Sequence, residues 1–421
     1  MFNKLKPKSE FSRNVLTLMT GTTIAQAIPI AISPILTRIY TPEDFGILAL
    51  YIAIVSFVSI VVTARYEMAI VLPKSDEEAI NIVALSLVIM LSIVIVLFLI
   101  IFLFKEELLS LLNANSIGNF LYLIPFSVLA AGLNQIFNYW SNRKQYFQNI
   151  SSAQISQSIA IGVSQPILGY FHIFGGLIIG NLTGRIIGAF ILIDKFVKND
   201  KAHLQDITKQ VMLEQMKKYK DFPLVNSLHA FSDILRTSGS VMLISSFFGA
   251  SILGFYALSL RVLQVPVGIV GSALGQVLYQ KFSTMHSNGE DLYPYVKKIV
   301  LYLFIISLVI FSLLYFIAPD LFAFVFGEKW RVAGEYSQIL IPYLFMNFLL
   351  SPISQLPIIL DRQKTFFYLS LIGNIGMPIA VILGYKLGYT ITEVLYIISF
   401  MFVILYLIVL LWIFTLIRRK V

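Results

Sequence analysis

Residues 45–72 read FGILALYIAIVSFVSIVVTARYEMAIVL, and this apolar run decides the fold class. A helix of about 20 apolar residues is long enough to cross the roughly 30 Å hydrocarbon core of a bilayer. Of the 421 residues, 58% are hydrophobic and only 13% are charged, which leaves too few polar side chains to coat a soluble globule. The sequence therefore predicts an all-α membrane protein.

Similar apolar runs recur along the whole chain and predict about twelve transmembrane helices. They are too long and too uniformly apolar for the alternating strands of an outer-membrane barrel. The first run is expected to be a retained helix, because it is too long for a signal peptide. The predicted spans are 14–36, 45–72, 79–104, 117–139, 150–171, 174–194, 222–247, 252–279, 295–317, 336–360, 365–385 and 391–416.

Lysine and arginine are distributed unequally between the two ends of the predicted spans. Of the 31 basic residues, 22 fall on the side that carries both termini, five on the other side and four inside spans. Because cytoplasmic loops carry the excess of Lys and Arg, both termini are predicted to be cytoplasmic. The net charge of +9 then reflects topology rather than a nucleic-acid surface.

The two halves of the chain resemble each other. Residues 44–50 (DFGILAL) match residues 252–258 (ILGFYAL), and a shift of 208 superposes Gly46 on Gly254. Six predicted spans in each half give equivalent helices the same direction, so the repeat is parallel. This pattern predicts two six-helix bundles around a central cavity.

A second match supports the repeat: SNRKQYF at 141–147 resembles LDRQKTF at 360–366. The predicted bundles are residues 1–200 and 222–421, joined by residues 201–221. In this linker Leu204, Ile207, Val211, Met212 and Met216 share one helical stripe. The stripe is typical of an amphipathic helix along the cytoplasmic interface, and a solvated linker helix is the alternative.

Four arginines but only two acids lie inside the predicted spans. They are Arg65, Arg185, Arg236 and Arg261, with Glu67 and Asp233. A charge at the bilayer centre costs about 2.5–3.5 kcal/mol on insertion scales, so such residues are expected to face a wet cavity or a partner. An excess of positive charge favours an anionic ligand.

Arg65 lies late in its span, near the cytoplasmic boundary. It either faces the cavity or extends its charge to the interface as an anchor. Residues two apart on a helix point about 200° apart, so Glu67 is expected to pair with another helix rather than with Arg65. Arg185 shares a helix face with Asn181 and is a further cavity candidate.

His229, Asp233 and Arg236 are spaced four and three apart and share one face of the seventh span. They form either an internal ion pair that fixes helix packing or a polar cavity wall that takes up protons. On the eighth span, Arg261 is followed by Gly268, Gly271 and Gly275, which are expected to permit close helix packing.

The sequence carries none of the usual signatures of catalysis. It has no cysteine, no phosphate-binding glycine loop, no zinc-ligand spacing and no Ser-His-Asp arrangement. We therefore expect no enzyme activity, no metal and no cofactor. Energy coupling is left open between protons, sodium ions and none.

Three stretches together resemble the Wzx-type polysaccharide flippases of the multidrug/oligosaccharidyl-lipid/polysaccharide exporter (MOP) superfamily. They are LTRIYTPEDFGILALY at 36–51, RYEMAIVLPKSDEEA at 65–79 and LGFYALSLRVLQVPVGIVGSALGQVLYQKFS at 253–283. The resemblance implies a MATE-like fold in the bacterial cytoplasmic membrane. It also implies transport of undecaprenyl-pyrophosphate-linked oligosaccharide, such as an O-antigen, capsule or exopolysaccharide unit, by alternating access.

In that family, cavity arginines are thought to bind the anionic substrate, a role that Arg65, Arg236 and Arg261 match here. Arg38 is a candidate at the opposite membrane face, where Glu43 and Asp44 could instead neutralise it. The expected partners are the lipid-linked substrate, membrane lipids and other polysaccharide assembly proteins, with no nucleic acid and a monomeric state.

Two other functions are weighed against the flippase. A MATE-like drug or cation antiporter needs acidic residues in its cavity, whereas arginines outnumber acids in these spans. A multi-span glycosyltransferase or polymerase is expected to carry a sizeable outer loop, and the predicted outer loops are short.

Overall fold

The computed structural model describes residues 10–223 and 227–418, and within these ranges all regular secondary structure is helical. Two compact units are formed: one by the described residues up to Tyr40 with Ile47–Ser246, the other by Thr41–Gly46 with the residues from Phe247 onward. The prediction of an all-helical fold is confirmed.

Among the described residues the first unit contains ten α-helices. They are α1 (Glu10–Ile39), α2 (Pro42–Ser59), α3 (Asp76–Leu103), α4 (Lys105–Leu111), α5 (Ile124–Arg143), α6 (Phe147–Tyr170), α7 (Gly176–Asp200), α8 (Lys209–Lys218), α9 (Ser227–Ile234) and α10 (Ser240–Phe248). The first turn of α2 and the last two residues of α10 belong to the second unit. Helix α6 packs between α1 and α7, and α5 packs between α7 and α3.

In the described part of the second unit there are six α-helices. They are α11 (Ala250–Ser287), α12 (Leu292–Phe326), α13 (Arg331–Leu350), α14 (Leu356–Ile359), α15 (Gln363–Lys386) and α16 (Ile391–Arg418). Helix α13 contacts α11, α12 and α16 and is largely buried, so it forms the centre of this unit.

Nine helical segments of the described residues are long and apolar enough to cross a membrane, and they coincide with nine of the twelve predicted spans. The remaining three predicted spans are helical as well over their described residues but are not among these nine segments. Helix α6 is rich in Gln and Ser, the described apolar segment of α11 is Ala250–Val265, and a π-helical segment, Leu235–Gly239, separates α9 from α10.

The boundary between the compact units follows Ser246, whereas the predicted bundle boundary precedes residue 222. Two contacts attach this stretch to the first unit: Phe231 packs edge-on against Phe57, and the Asn113 amide donates to the Ser246 carbonyl. The division into two six-helix halves stays a prediction, because a compact unit and a sequence repeat are different things.

The predicted span 45–72 is not one helix, and this expectation is wrong. Helix α2 ends at Ser59, and after a turn the chain forms a short 3-10 helix over Tyr66–Val71. Ala64 and Arg65 have φ angles of 47° and 63°, in the left-handed region that interrupts a right-handed helix. Hydropathy alone does not detect such a break.

The two glycines matched by the repeat meet in the second unit. A Cβ on Gly46 would lie 1.7 Å from the Ala250 carbonyl oxygen, and one on Gly254 would lie 1.8 Å from the Pro42 carbonyl oxygen. The contact is reciprocal, since Pro42 and Ala250 are also 208 residues apart. Small residues here allow the backbones of α2 and α11 to touch.

Gly275 was expected to permit close packing, but a Cβ there would have no neighbour within 4 Å among the described residues, so the prediction for Gly275 is wrong. The difference gives a matched test on one helix. Alanine favours a helix over glycine by about 1 kcal/mol, whereas overpacking costs about 1–3 kcal/mol. We expect Gly254→Ala to lower the melting temperature in detergent and Gly275→Ala to keep or raise it; equal shifts would contradict this crossing.

Candidate functional site

Arg65 lies in the turn between α2 and α3 rather than on a helix. Its Nη1 is 3.7 Å from Oε1 of Glu67, and its side chain is 21% exposed. The expectation that Glu67 pairs with another helix is wrong, because the left-handed backbone at residues 64 and 65 replaces the helical geometry on which it depended. Glu67 is instead the carboxylate closest to Arg65.

Glu67 is almost fully buried and is also bound by a hydroxyl group, since Thr63 donates a hydrogen bond to its Oε2. The Arg65 Nε is buried and has no hydrogen-bond partner among the described residues. A guanidinium group has five N–H donors, so one distant carboxylate leaves much of its capacity unused. Arg65 therefore retains donors for a further ligand.

A basic pair at the end of α5 holds the segment that follows Arg65. The Arg143 Nη1 donates to the carbonyl oxygens of Ile70 (3.2 Å) and Pro73 (2.7 Å), and its Nε donates to Asp76 (2.9 Å). Lys144 also binds Asp76, at 2.5 Å. Burial disfavours the charged form of Lys144, but the hydrogen bond to Asp76 favours it and raises the pKa of Lys144 above its ordinary value.

The predicted linker packs against the same region. It forms a 3-10 helix, Lys201–Asp206, followed by α8, which lies against α3. The Asn81 side chain donates to the Asp206 carbonyl and accepts from the Thr208 N–H, both at 2.9 Å. The Tyr66 hydroxyl donates to the Met216 carbonyl at 3.0 Å. The linker is thus fixed to the turn that carries Arg65.

Arg185 lies within α7 and forms no ion pair among the described residues. Its Nε donates to Oδ1 of Asn181 at 3.0 Å, one helical turn away. Its own carbonyl accepts a hydrogen bond from Asn134 at 3.0 Å. The prediction that Arg185 and Asn181 share one helix face is confirmed, and their hydrogen bond satisfies one guanidinium donor without neutralising the charge.

Arg236 lies in the π-helical segment Leu235–Gly239, and Asp233 lies in the last turn of α9, which precedes it. Arg236 is half-buried and Asp233 is exposed. Single π-helical turns inside α-helices are frequent at functional sites. His229 lies on α9, but its side chain is outside the described residues.

The remaining arginine candidates lie in different units. Arg38 is exposed in the last turn of α1, where a cation interacts favourably with the helix dipole. Asp44, suggested as its neutraliser, accepts hydrogen bonds from the backbone and side chain of Thr41 and so caps α2. Arg261 lies on α11 in the second unit, is half-buried and forms no ion pair within the described ranges.

The sequence patterns did not indicate a role for Thr63, and they identified Arg143 only as one of the basic residues on the predicted cytoplasmic side. The motif SNRKQYF contained Arg143, but the signal was the repeat rather than a side-chain role. No local pattern shows that α5 ends beside the 3-10 helix after Arg65, because that contact is set by the packing of α3 and α5.

Comparison with known proteins supports one family. The profile described as polysaccharide biosynthesis protein matches residues 35–335. No curated protein sequence matches the chain significantly.

Several solved structures share the fold over nearly the whole chain. The lipid II flippase MurJ, in an inward closed conformation, is 14% identical, with a TM-score of 0.77 over 96% of this chain and 90% of that one. An inward-facing multidrug resistance MATE family transporter of the MOP superfamily is 16% identical, with a TM-score of 0.65 over 96% and 95%. A MOP superfamily transporter from Pyrococcus furiosus is 13% identical, with a TM-score of 0.54 over 97% and 95%. The MATE-like fold class is confirmed.

The left-handed turn predicts an unusual response to glycine. Glycine takes positive φ without steric cost, so Ala64→Gly should keep or raise the melting temperature in detergent, whereas glycine inside a helix costs about 1 kcal/mol. Ala49→Gly, within α2, is the matched control and should lower it. If both variants lose stability equally, residue 64 does not have the left-handed conformation.

Proposed function

This chain belongs to the polysaccharide biosynthesis protein family, and from that premise we propose that it is a lipid-linked oligosaccharide flippase of the MOP superfamily. Its substrate is an undecaprenyl-pyrophosphate-linked oligosaccharide, an O-antigen, capsule or exopolysaccharide unit. It moves this substrate across the bacterial cytoplasmic membrane by alternating access, with both termini in the cytoplasm.

Arg65 is the observation that carries this proposal. It is a partly exposed guanidinium group with a buried Nε that lacks a protein partner and a carboxylate only at 3.7 Å. A pyrophosphate carries about two negative charges and has oxygens that a guanidinium group binds in a bidentate manner. Arg65 is therefore assigned to capture of the pyrophosphate.

Glu67 sets how tightly Arg65 holds the substrate. Its carboxylate keeps the arginine from being an isolated buried charge while the site is empty, which would be costly in an apolar environment. At 3.7 Å the pair is longer than a charge-assisted hydrogen bond, so a phosphate oxygen at 2.7–2.9 Å competes well. Substrate release then returns Arg65 to Glu67.

Arg185, Arg236, Arg261 and Arg38 are proposed as further substrate-binding positions along the route. Arg185 and Arg261 form no ion pair among the described residues, which leaves their charge available to an anion. Asp233 and His229 are proposed as coupling or pairing residues. The fold shared with MATE transporters supports the architecture, but the excess of arginine favours an anionic substrate over the drug or cation antiporter.

Deletion of the gene in the native host tests the function directly. Lipid-linked oligosaccharide should accumulate on the inner leaflet while surface glycan disappears, because the assembly steps beyond the membrane receive no substrate. Intact surface glycan together with lost resistance to organic cations would instead identify an antiporter.

The first substitution test separates charge from geometry at Arg65. Lysine keeps the charge but lacks the planar fork, so Arg65→Lys should lower transport about tenfold and Arg65→Ala further, at equal protein abundance. Arg331→Lys is the control: Arg331, at the start of α13 in the second unit, is partly exposed and pairs with Glu328 and Asp320, where lysine can replace it. Wild-type transport by Arg65→Lys would reduce Arg65 to an interfacial anchor.

The second test concerns the seventh span. If Asp233 and Arg236 only neutralise each other, Asp233→Asn combined with Arg236→Gln should restore the transport that either single change removes. If Arg236 binds substrate, the double variant stays inactive while remaining inserted and abundant. We expect the second outcome; full rescue would remove Arg236 from the site.

A further inference from the structure

The 3-10 helix Tyr66–Val71 follows Arg65 directly and is only six residues long. Helices this short leave most of their terminal carbonyl groups without internal partners. Here the carbonyls of Ile70 and Pro73 receive their hydrogen bonds from Arg143 on α5. The position of the segment therefore depends on a side chain from another helix.

We propose that Arg143 is a positioning residue for Arg65: it anchors the 3-10 helix so that the Arg65 guanidinium is held in its substrate-binding position. This inference rests on the proposed substrate role of Arg65. Arg143 does not need to touch the substrate. It acts through the backbone between residues 65 and 73.

The need for an anchor follows from the backbone of the turn. Ala64 and Arg65 are both left-handed non-glycine residues, a conformation that persists only where the surroundings over-determine it. On the N-terminal side, the Thr63–Glu67 hydrogen bond spans the turn. On the C-terminal side, Arg143 fixes residues 70–76. Loss of either constraint frees the turn to adopt other conformations and moves Arg65.

The chemistry of the anchor requires arginine. Arg143 serves two carbonyl oxygens with one Nη1 and the Asp76 carboxylate with its Nε, a fixed fork that the point charge of lysine cannot reproduce. Lys144 also donates a hydrogen bond to the Asp76 carboxylate and so helps to hold it in place. His203 lies 3.7 Å from Asp76 as well, which connects the anchor to the linker.

The internal repeat supplies a matched control. Arg362 is the counterpart of Arg143 in the LDRQKTF motif, at the start of α15, and its side chain is exposed. Both residues belong to the basic side of the predicted topology, so Arg362→Gln removes the same charge as Arg143→Gln. Only Arg143 binds a segment that carries a candidate site residue.

The test is a double-mutant cycle with transport as the readout. At equal membrane abundance, Arg143→Gln should lower transport about tenfold, the scale of a lost hydrogen bond to a charged group, and Arg143→Lys should lower it less. In an Arg65→Ala background, Arg143→Gln should change transport less than twofold, because the residue that it positions is already absent. Arg362→Gln should be near wild type in both backgrounds.

Equal losses in both backgrounds would overturn the proposal, since they mean that Arg143 acts independently of Arg65. Unchanged transport in Arg143→Gln would overturn it as well. Arg143→Lys keeps the topogenic charge and serves as the informative variant if Arg143→Gln inserts poorly.

A second readout does not depend on transport. The chain has no cysteine, so Leu72→Cys, at an exposed position directly after the 3-10 helix, provides one spin-label site. Arg143→Gln should increase label mobility there, and Arg362→Gln should not. If Arg65→Ala leaves transport intact, the substrate role of Arg65 fails, yet label mobility still decides whether Arg143 anchors the segment; unchanged mobility would refute the anchor.

Discussion

The cost of placing an unpaired charge among apolar helices is the constraint on which this structure depends. On insertion scales each such charge costs about 2.5–3.5 kcal/mol, a large part of the stability of a domain. The first unit meets this cost in two ways. Arg185 stays on its helix and bonds to the neutral amide of Asn181. Arg65 leaves the helix altogether and lies in a turn beside the buried Glu67.

The second solution requires a strained backbone, and the surroundings have to maintain it. Left-handed non-glycine residues cost about 1–3 kcal/mol each, and hydrogen bonds to charged groups contribute about 1.5–3 kcal/mol. The bonds from Arg143 to the following segment are therefore of the right size to offset the strain at residues 64 and 65. At this point the backbone departs from a regular helix, and the Arg65 guanidinium retains N–H donors without a protein partner. Binding of a phosphate requires such donors.

Hydropathy and charge predicted the helical membrane fold, because bilayer thickness and the cost of exposed backbone leave few alternatives. The same pattern could not detect the end of α2 at Ser59, since VVTARYEMAIVL is as apolar as the helix before it. The expectation that Glu67 points away from Arg65 on one continuous helix therefore failed together with that helix. The spacing of the glycines did not show which of them pack closely. A Cβ at Gly254 would collide with a backbone carbonyl, whereas a Cβ at Gly275 would have no neighbour within 4 Å among the described residues. The role of Arg143 depends on a contact between helices that are distant in sequence, which no local pattern contains.

We propose that the arginines of this fold bind an anionic lipid-linked substrate. Purified protein in vesicles, supplied with an undecaprenyl-pyrophosphate-linked oligosaccharide or with an organic cation, tests it most directly. We expect the lipid-linked pyrophosphate to cross the membrane at a rate that depends on the protein, and the cation not to cross. Transport of the cation without movement of the lipid-linked pyrophosphate would contradict this proposal.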